Sequence, residues 1–237
     1  MTFFLCPLSF VKEIMSGEEL ASYIDHTLLR PEATEEQVLQ LSDEARSYGF
    51  AAVCVPPCYV QAATERLGPG SLVKVATVIG FPLGYQHAKV KFLETHQAIA
   101  DGANEIDVVM NISAFKSGRY DEVENELEDL AKFCHMKEAA LKVIIETALL
   151  TKDEIEKACE LCAAAGVDFV KTSTGFVSGG ARVEDIELMR RALPNHIKIK
   201  ASGGIKTFAD ALALIQAGAD RLGCSASIQI VKHEQSA

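Results

Sequence analysis

Lys171 stands in the stretch DFVKTSTGF (168–176), directly after the apolar pair Phe169-Val170 and directly before Thr-Ser-Thr-Gly. Lysine is almost never fully buried unless paired, so an amine at the end of an apolar run needs a reason. Side chains alternate faces along a strand, which gives Phe169, Lys171 and Ser173 a common face. The same alternation groups Lys198, Lys200 and Ser202 in HIKIKAS (196–202), and Glu105, Asp107 and Val109 in EIDVVM (105–110). If these faces share one interior, Lys171, Lys200 and Asp107 approach one another in a partly dry cavity, with Lys198 and Glu105 lower down, solvated or paired. A protonated lysine cannot attack a carbonyl. Desolvation and a neighbouring cation both favour the neutral amine, which can form a Schiff base and so an electron sink for making or breaking an adjacent C–C bond. In this arrangement Lys171 is the nucleophile, Lys200 the second cation and Asp107 a proton-relay partner. The alternative is that both lysines reach solvent from strand ends while Asp107 caps a loop, and strand phase alone does not choose between the two.

A meeting of this kind needs strands arranged around a common interior. Eight short runs qualify: YIDHT (23–27), AAVCV (51–55), VKVATVI (73–79), EIDVVM (105–110), LKVIIE (141–146), DFVKTS (168–173), HIKIKAS (196–202) and RLGCS (221–225). Between them lie amphipathic stretches with helix punctuation. TEEQVLQLSDEARSYG opens on a Thr cap and an acidic turn and closes at Gly49. TKDEIEKACELCAAAG carries Thr151 with Glu154 three residues on, a capping box, and stops at Gly166. HAKVKFLETHQAIADG, DEVENELEDLAKFCH, VEDIELMRRAL and TFADALALIQAG complete the helical set. Strands alternating with helices imply parallel pairing through crossovers. Eight such units predict an α/β fold, a single (β/α)8 TIM barrel, with its active site at the C-terminal ends of the strands.

The chain has 237 residues, 49% hydrophobic and 24% charged, which suits one globular domain of this size. A formal net charge of −10 argues against nucleic acid or an anionic membrane as the main partner. A phosphorylated metabolite remains compatible, because a local site can be basic on an acidic protein. Seven cysteines show no disulfide spacing, and Cys159 and Cys162 form a lone C-x-x-C inside an apolar helical pattern. They read as structural thiols, and the reducing cytoplasm is the expected compartment. The six histidines show no zinc spacing, so no zinc site is expected. Residues 1–16, MTFFLCPLSFVKEIMS, lack a basic leader region and a cleavage site, and Pro7 interrupts them. They are expected to be an extension outside the core, with the barrel domain spanning 17–237.

Glycines gather where a barrel binds anions. Gly203-Gly204 follow the seventh run, and Gly223-Cys224-Ser225 close the eighth. Loops after the last two strands and a short helix N-terminus often hold phosphate in this fold, although a Gly-Gly by itself also marks an ordinary turn. Thr172–Gly175 offer a third donor loop.

Taken together, YIDHTLLRPEAT, GFAAVCVPPCYV, KVATVIGFPLG, DGANEIDVVMNI, KVIIETALLT, FVKTSTGF, IKASGGIKT and RLGCSAS resemble the deoxyribose-phosphate aldolase family, class I aldolases of deoxynucleoside breakdown. The resemblance runs from about Leu20 to Val231. It implies that Lys171 forms the Schiff base, that Lys200 perturbs that amine, and that Asp107 joins the proton relay. It also implies that Thr27 contacts substrate at the barrel mouth, and that Gly175, Gly203, Gly204, Gly223, Ser225 and position 226 surround the phosphate. The implied reaction is reversible cleavage of 2-deoxy-D-ribose 5-phosphate to D-glyceraldehyde 3-phosphate and acetaldehyde without a cofactor. The partner is then a small phosphorylated sugar, and a homodimer or larger homo-oligomer is compatible. The chain departs from the family pattern at Pro56, Val177, Arg182 and Ala226, the last standing where a second serine often helps hold phosphate. Another Schiff-base barrel enzyme acting on a different phosphorylated aldehyde or ketose is the alternative, and a catalytically silent barrel retained for binding is a third reading.

Overall fold

The computed structural model of the chain describes residues 15–232. Eight parallel strands close into a barrel in sequence order: β1 (Ile24–Thr27), β2 (Ala52–Val55), β3 (Lys74–Ile79), β4 (Glu105–Val109), β5 (Ala140–Ile144), β6 (Phe169–Lys171), β7 (Lys198–Ser202) and β8 (Arg221–Cys224). Closure is direct, with β8 pairing to β1 through Leu222 opposite Ile24 and Cys224 opposite His26. Seven strands fall within their expected runs and β5 starts one residue early, at Ala140; β6 is cut to three residues, ending at Lys171.

The helices follow from their ends. Helix α2 (Glu35–Tyr48) is opened by the Thr34 side chain and closed by Gly49 in the left-handed conformation at φ 69°. The helix over 152–164 keeps the expected capping box between Thr151 and Glu154, and the one over 208–216 has the same device between Thr207 and Asp210. The helix over 120–136 covers the acidic stretch after the fourth strand. Short helical pieces not expected from sequence are α1 (Gly17–Ala21), α3 (Val60–Leu67) and segments over 112–116 and 227–232. α3 has no side-chain cap and follows Pro56-Pro57, so its start carries none of the usual signals.

Residues 1–14, the larger part of the expected extension, lie outside the described residues, as do 233–237. The fold itself takes in Met15 and Ser16, which the sequence reading had placed in that extension: Ser16 caps α1 through a capping box with Glu19, and Met15 packs partly on the core. The main core lies between strands and helices, where the outward-facing Val53, Val55, Val75, Ile106, Val108, Val143, Val170 and Ile199 meet helical side chains. A separate apolar cluster, Ala52, Cys54, Ala76 and Val78, lines the barrel interior on the β2–β3 side. Elsewhere the interior holds charged side chains together with Val109, Ile144 and Phe169.

Candidate active site

Seven charged side chains converge inside the barrel: Asp25 from β1, Glu105 and Asp107 from β4, Lys142 from β5, Lys171 from β6, Lys200 from β7 and Arg221 from β8. Lys171 Nζ donates to Asp107 Oδ2 at 2.8 Å, and Lys200 Nζ donates to the same oxygen at 2.8 Å. Lys200 also pairs with Asp25. Lys142 Nζ lies 2.8 Å from Asp107 Oδ1 and 2.6 Å from Glu105 Oε2. Arg221 Nη1 closes the network with Asp25 at 2.6 Å and Glu105 at 3.3 Å. The three residues singled out for chemistry are thus brought together, and Glu105 is paired, one of the two outcomes expected for it. Lys198 is exposed and rests over the Phe169 ring.

Four basic groups face three carboxylates in this cluster, so it is neutral when one amine is uncharged. The surroundings select which. Burial opposes charge on every lysine, but Lys200 has two carboxylate partners and its affinity for a proton is raised above the ordinary value. Lys142 is raised as well, its burial outweighed by Asp107 and Glu105, and Arg221 is raised by Asp25 and Glu105. Lys171 shares its one carboxylate with two other lysines. Burial, reinforced by the Lys200 charge, outweighs Asp107 and lowers the Lys171 pKa. Asp107 is itself held far below the ordinary carboxylate range: burial favours its neutral form, but Lys142, Lys171 and Lys200 together prevail.

Lys171 also opens to the outside. A cavity of about 340 Å³ at the C-terminal ends of the strands is lined by Lys171, by Thr27 to Arg30 at the end of β1 and beyond, by Thr174 to Phe176 after β6, by Ser202 to Ile205 at the end of β7 and beyond, and by Gly223 to Ser225 in β8 and after it. Thr27, Gly175, Gly203, Gly204, Gly223 and Ser225 therefore share one cavity with the amine. Ala226 does not line it; its side chain packs on the core, which is where the run after Ser225 turns into the last helix. Gly223 has a specific reason for lacking a side chain: a Cβ there would lie 2.9 Å from Ser202 Cβ and 3.3 Å from Lys200 Cε, in the space the lysine needs. Gly180, with φ 68°, comes so close to Gly203 that a Cβ would collide with its carbonyl, and Ala181 N–H donates to that same oxygen at 3.0 Å. The loops after β6 and β7 are seated on each other.

Geometry adds residues that sequence reasoning missed. Asp25 and Lys142 lie inside expected strand runs, Asp25 as the one acidic residue of YIDHT and Lys142 beside the apolar Val143-Ile144-Ile145 of LKVIIE, a signal like the one at Lys171. Arg221 opens the last run and was passed over for the glycines behind it. Arg30 lines the cavity and is the one cation there besides Lys171 among the described residues; it is paired to Glu32 at 3.3 Å across an exposed surface. Glu146, two residues beyond β5, is buried and holds φ 54° and ψ 68°, a left-handed conformation that costs a non-glycine residue on the order of 1–3 kcal/mol. Cys159 and Cys162 are free, buried thiols, with Cys159 pushed up to about 12 by burial. Among the described residues no group of His, Cys, Asp or Glu is arranged to hold a metal ion, and no helix is long and apolar enough to cross a membrane.

A strand-end lysine with a lowered pKa, facing a cavity rimmed by glycine loops, is what a Schiff-base enzyme of the barrel class requires, and comparison with known proteins points the same way. The family model of the DeoC/LacD family aldolases matches residues 20–232. The chain belongs to the DeoC/LacD aldolase family. Among the relatives of this aldolase, the deoxyribose-phosphate aldolase of Thermococcus gammatolerans is 52% identical over 94% of this chain and 100% of its own length. That of Streptococcus sanguinis is 50% identical over 92% and 98%. Among solved structures, an aldolase called QR15 aligns with a TM-score of 0.86 at 41% identity, covering 92% of this chain and 96% of that one. The deoxyribose phosphate aldolase of Aeropyrum pernix, described as a unique tetramer, aligns with a TM-score of 0.86 at 36% identity over 94% of each chain. The barrel of this aldolase is therefore shared with its family along almost its whole length.

Proposed function

We propose that this DeoC/LacD-family aldolase cleaves 2-deoxy-D-ribose 5-phosphate reversibly to D-glyceraldehyde 3-phosphate and acetaldehyde, with Lys171 as the nucleophile. The observation that carries the assignment of the nucleophile is that Lys171 alone among the barrel lysines faces the cavity, while its neighbours Lys142 and Lys200 are held charged behind it. The names of relatives about half identical to the chain support the substrate.

The neutral Lys171 amine adds to the C1 aldehyde of the open-chain sugar. Protonation of the resulting carbinolamine hydroxyl and loss of water give an iminium. The C3 hydroxyl gives up its proton as the C2–C3 bond breaks, and the bonding pair flows into the iminium to leave an enamine on Lys171. Glyceraldehyde 3-phosphate departs. Protonation of the enamine at C2 and addition of water then release acetaldehyde and restore the amine. Lys200, charged and hydrogen-bonded to the same Asp107 oxygen as Lys171, disfavours a second ammonium beside it. Asp107 gives protons leaving Lys171 a hydrogen-bonded path. Its depressed pKa makes it a conduit and a counter-ion rather than a store of protons.

The phosphate is assigned to the end of the cavity formed by Gly175, Gly203, Gly204, Gly223 and Ser225, where backbone N–H groups and Arg30 supply the positive field; no carboxylate lines the cavity among the described residues. Thr27 stands at the sugar side of the mouth. The cytoplasm is the assigned compartment, supported by six described cysteines that are all free. The working state is a homodimer or larger homo-oligomer, supported by the tetrameric Aeropyrum pernix relative and by the exposed Leu83, Tyr85, Val90 and Leu93 on and before the fourth helix, over residues 88–100. Turnover is expected to survive removal of residues 1–14, because the family match begins only at residue 20. A panel of phosphorylated sugars tests the substrate: 2-deoxyribose 5-phosphate should be cleaved with the highest kcat/KM. Faster cleavage of another aldehyde or ketose phosphate would overturn the substrate while leaving the lysine chemistry standing.

A further inference from the structure

Beyond Thr172 the loop that follows Lys171 has no strand pairing to hold it, yet it must present its N–H groups to the anionic end of the substrate. β6 ends at Lys171, and Thr174, Gly175 and Phe176 already line the cavity. What fixes them comes from the neighbouring strand end. Glu146, fully buried, turns the chain in the left-handed conformation just beyond β5 and brings its carboxylate over the β6 loop. Its Oε2 accepts a hydrogen bond from Thr174 N–H at 3.1 Å and a second, short one from the Thr174 hydroxyl. Thr174 Oγ1 in turn accepts from Phe176 N–H at 3.1 Å. The backbones on either side are tied as well, Ile145 N–H to the Lys171 carbonyl at 3.0 Å and Thr147 N–H to the Thr172 carbonyl at 2.9 Å. A glutamate is an unfavourable choice for a left-handed backbone. Its presence in that conformation, buried and bonded to a cavity-lining loop, fits the pattern in which strained residues support functional sites.

We propose that Glu146 is a positioning residue for substrate recognition: through Thr174 it sets the conformation of the 174–176 loop that meets the phosphate, and it takes no part in the Schiff-base chemistry. This rests on the placement of the phosphate proposed above. The two bonds reach one oxygen, Oε2, while Oε1 makes no hydrogen bond within the protein. A glutamine can therefore reproduce the clamp with its single carbonyl oxygen, whereas an alanine cannot. Thr174→Val removes the hydroxyl link to both Glu146 and Phe176 and leaves the backbone bond in place.

The experiment compares wild type, Glu146→Ala, Glu146→Gln, Thr174→Val and the Glu146→Ala/Thr174→Val double variant on 2-deoxyribose 5-phosphate and on unphosphorylated 2-deoxyribose. Borohydride trapping of acetaldehyde on Lys171 is measured alongside. Glu146→Ala should raise KM for the phosphorylated sugar by about tenfold, with kcat and the KM for 2-deoxyribose each within about a factor of three and trapping retained. Thr174→Val should show the same selectivity with a smaller effect. The double variant should lose clearly less than the two single changes add up to, because both break the Thr174–Glu146 connection, and only the Phe176 bond is lost to Thr174→Val alone. Glu146→Gln should recover most of the loss. Equal effects on the two sugars, additive losses, or a fall in Tm with no change in the KM for the phosphorylated sugar would overturn the inference. Should Glu146→Ala fail to fold, Thr174→Val decides by the same criterion. Absence of wild-type cleavage would remove the reading beneath the inference and the inference with it; wild-type cleavage with unmoved KM in the variants would remove the inference alone.

Discussion

Lys91 and Lys171 are both buried amines beside a carboxylate, and only one of them is placed for catalysis. Lys91 sits in the helix over 88–100, fully buried, with Nζ 2.6 Å from Glu126 Oε1 and 2.9 Å from the Val109 carbonyl. Its pKa is lowered by burial, partly offset by Glu126. The Lys171 pKa is lowered for the same first reason. The difference lies in what surrounds each. Lys91 has a carboxylate to itself and, unlike Lys171, does not line the cavity at the strand ends. Lys171 shares its carboxylate with Lys142 and Lys200 and opens to about 340 Å³ of space. Burial alone does not make a nucleophile; a competing cation and a route for the carbonyl do.

The largest expected effect is at Lys171. Lys171→Met should abolish turnover in a folded protein, whereas Lys91→Met should leave kcat and KM of the folded fraction unchanged. The second change instead costs stability, about 3–5 kcal/mol by denaturant titration at neutral pH, because Glu126 is left buried without its partner. Loss of activity in folded Lys91→Met would break the comparison. Asp107→Asn keeps the shape and removes the charge that three lysines share, and should lower kcat by about 10²-fold or more; near wild-type turnover would make the carboxylate purely structural. Lys200→Met tests the competing cation. Without it Asp107 serves Lys171 more fully, so the nucleophile's pKa rises and a smaller fraction is neutral at a given pH. The acid limb of the kcat/KM profile should move upward by about one pH unit, equivalent to roughly 1.4 kcal/mol. An unmoved profile would show that burial alone tunes Lys171. The smallest effect is at Ala226, whose side chain packs on the core. Ala226→Ser should alter KM for the phosphorylated sugar by less than about a factor of two, and a marked fall would place the phosphate nearer to that turn than we have drawn it.

The contrast also shows how far sequence reaches. Parallel barrel strands are buried on both faces and read as short apolar runs, so all eight were legible, and alternation put Lys171, Lys200 and Asp107 on candidate inward faces without deciding that they meet. The same alternation in LKVIIE and YIDHT gives Lys142 and Asp25 candidate inward positions, but without the Thr-Ser-Thr-Gly that marks Lys171 they carry no signal of chemistry. Lys91 was hidden differently. Its helix carries polar residues on several faces, but Lys91, Thr95 and Ala98 share one buried stripe, and only packing against the helix over 120–136 shows that this stripe points inward. Glu146 could not have been read from sequence, since glutamate carries no preference for the left-handed turn it makes. Cavity walls were half legible: glycine loops announced themselves, while Arg30, in an ordinary polar stretch after β1, did not.

The central claim is that Lys171, and none of the other buried lysines, carries the reactive amine. Incubating the protein with acetaldehyde and borohydride, then mapping the reduced two-carbon adduct by mass spectrometry, tests it most directly. The account predicts one adduct, on Lys171, with Lys91, Lys142 and Lys200 unmodified. An adduct on Lys200 or Lys142 in place of Lys171, or no adduct in a protein that still cleaves the sugar phosphate, would contradict it.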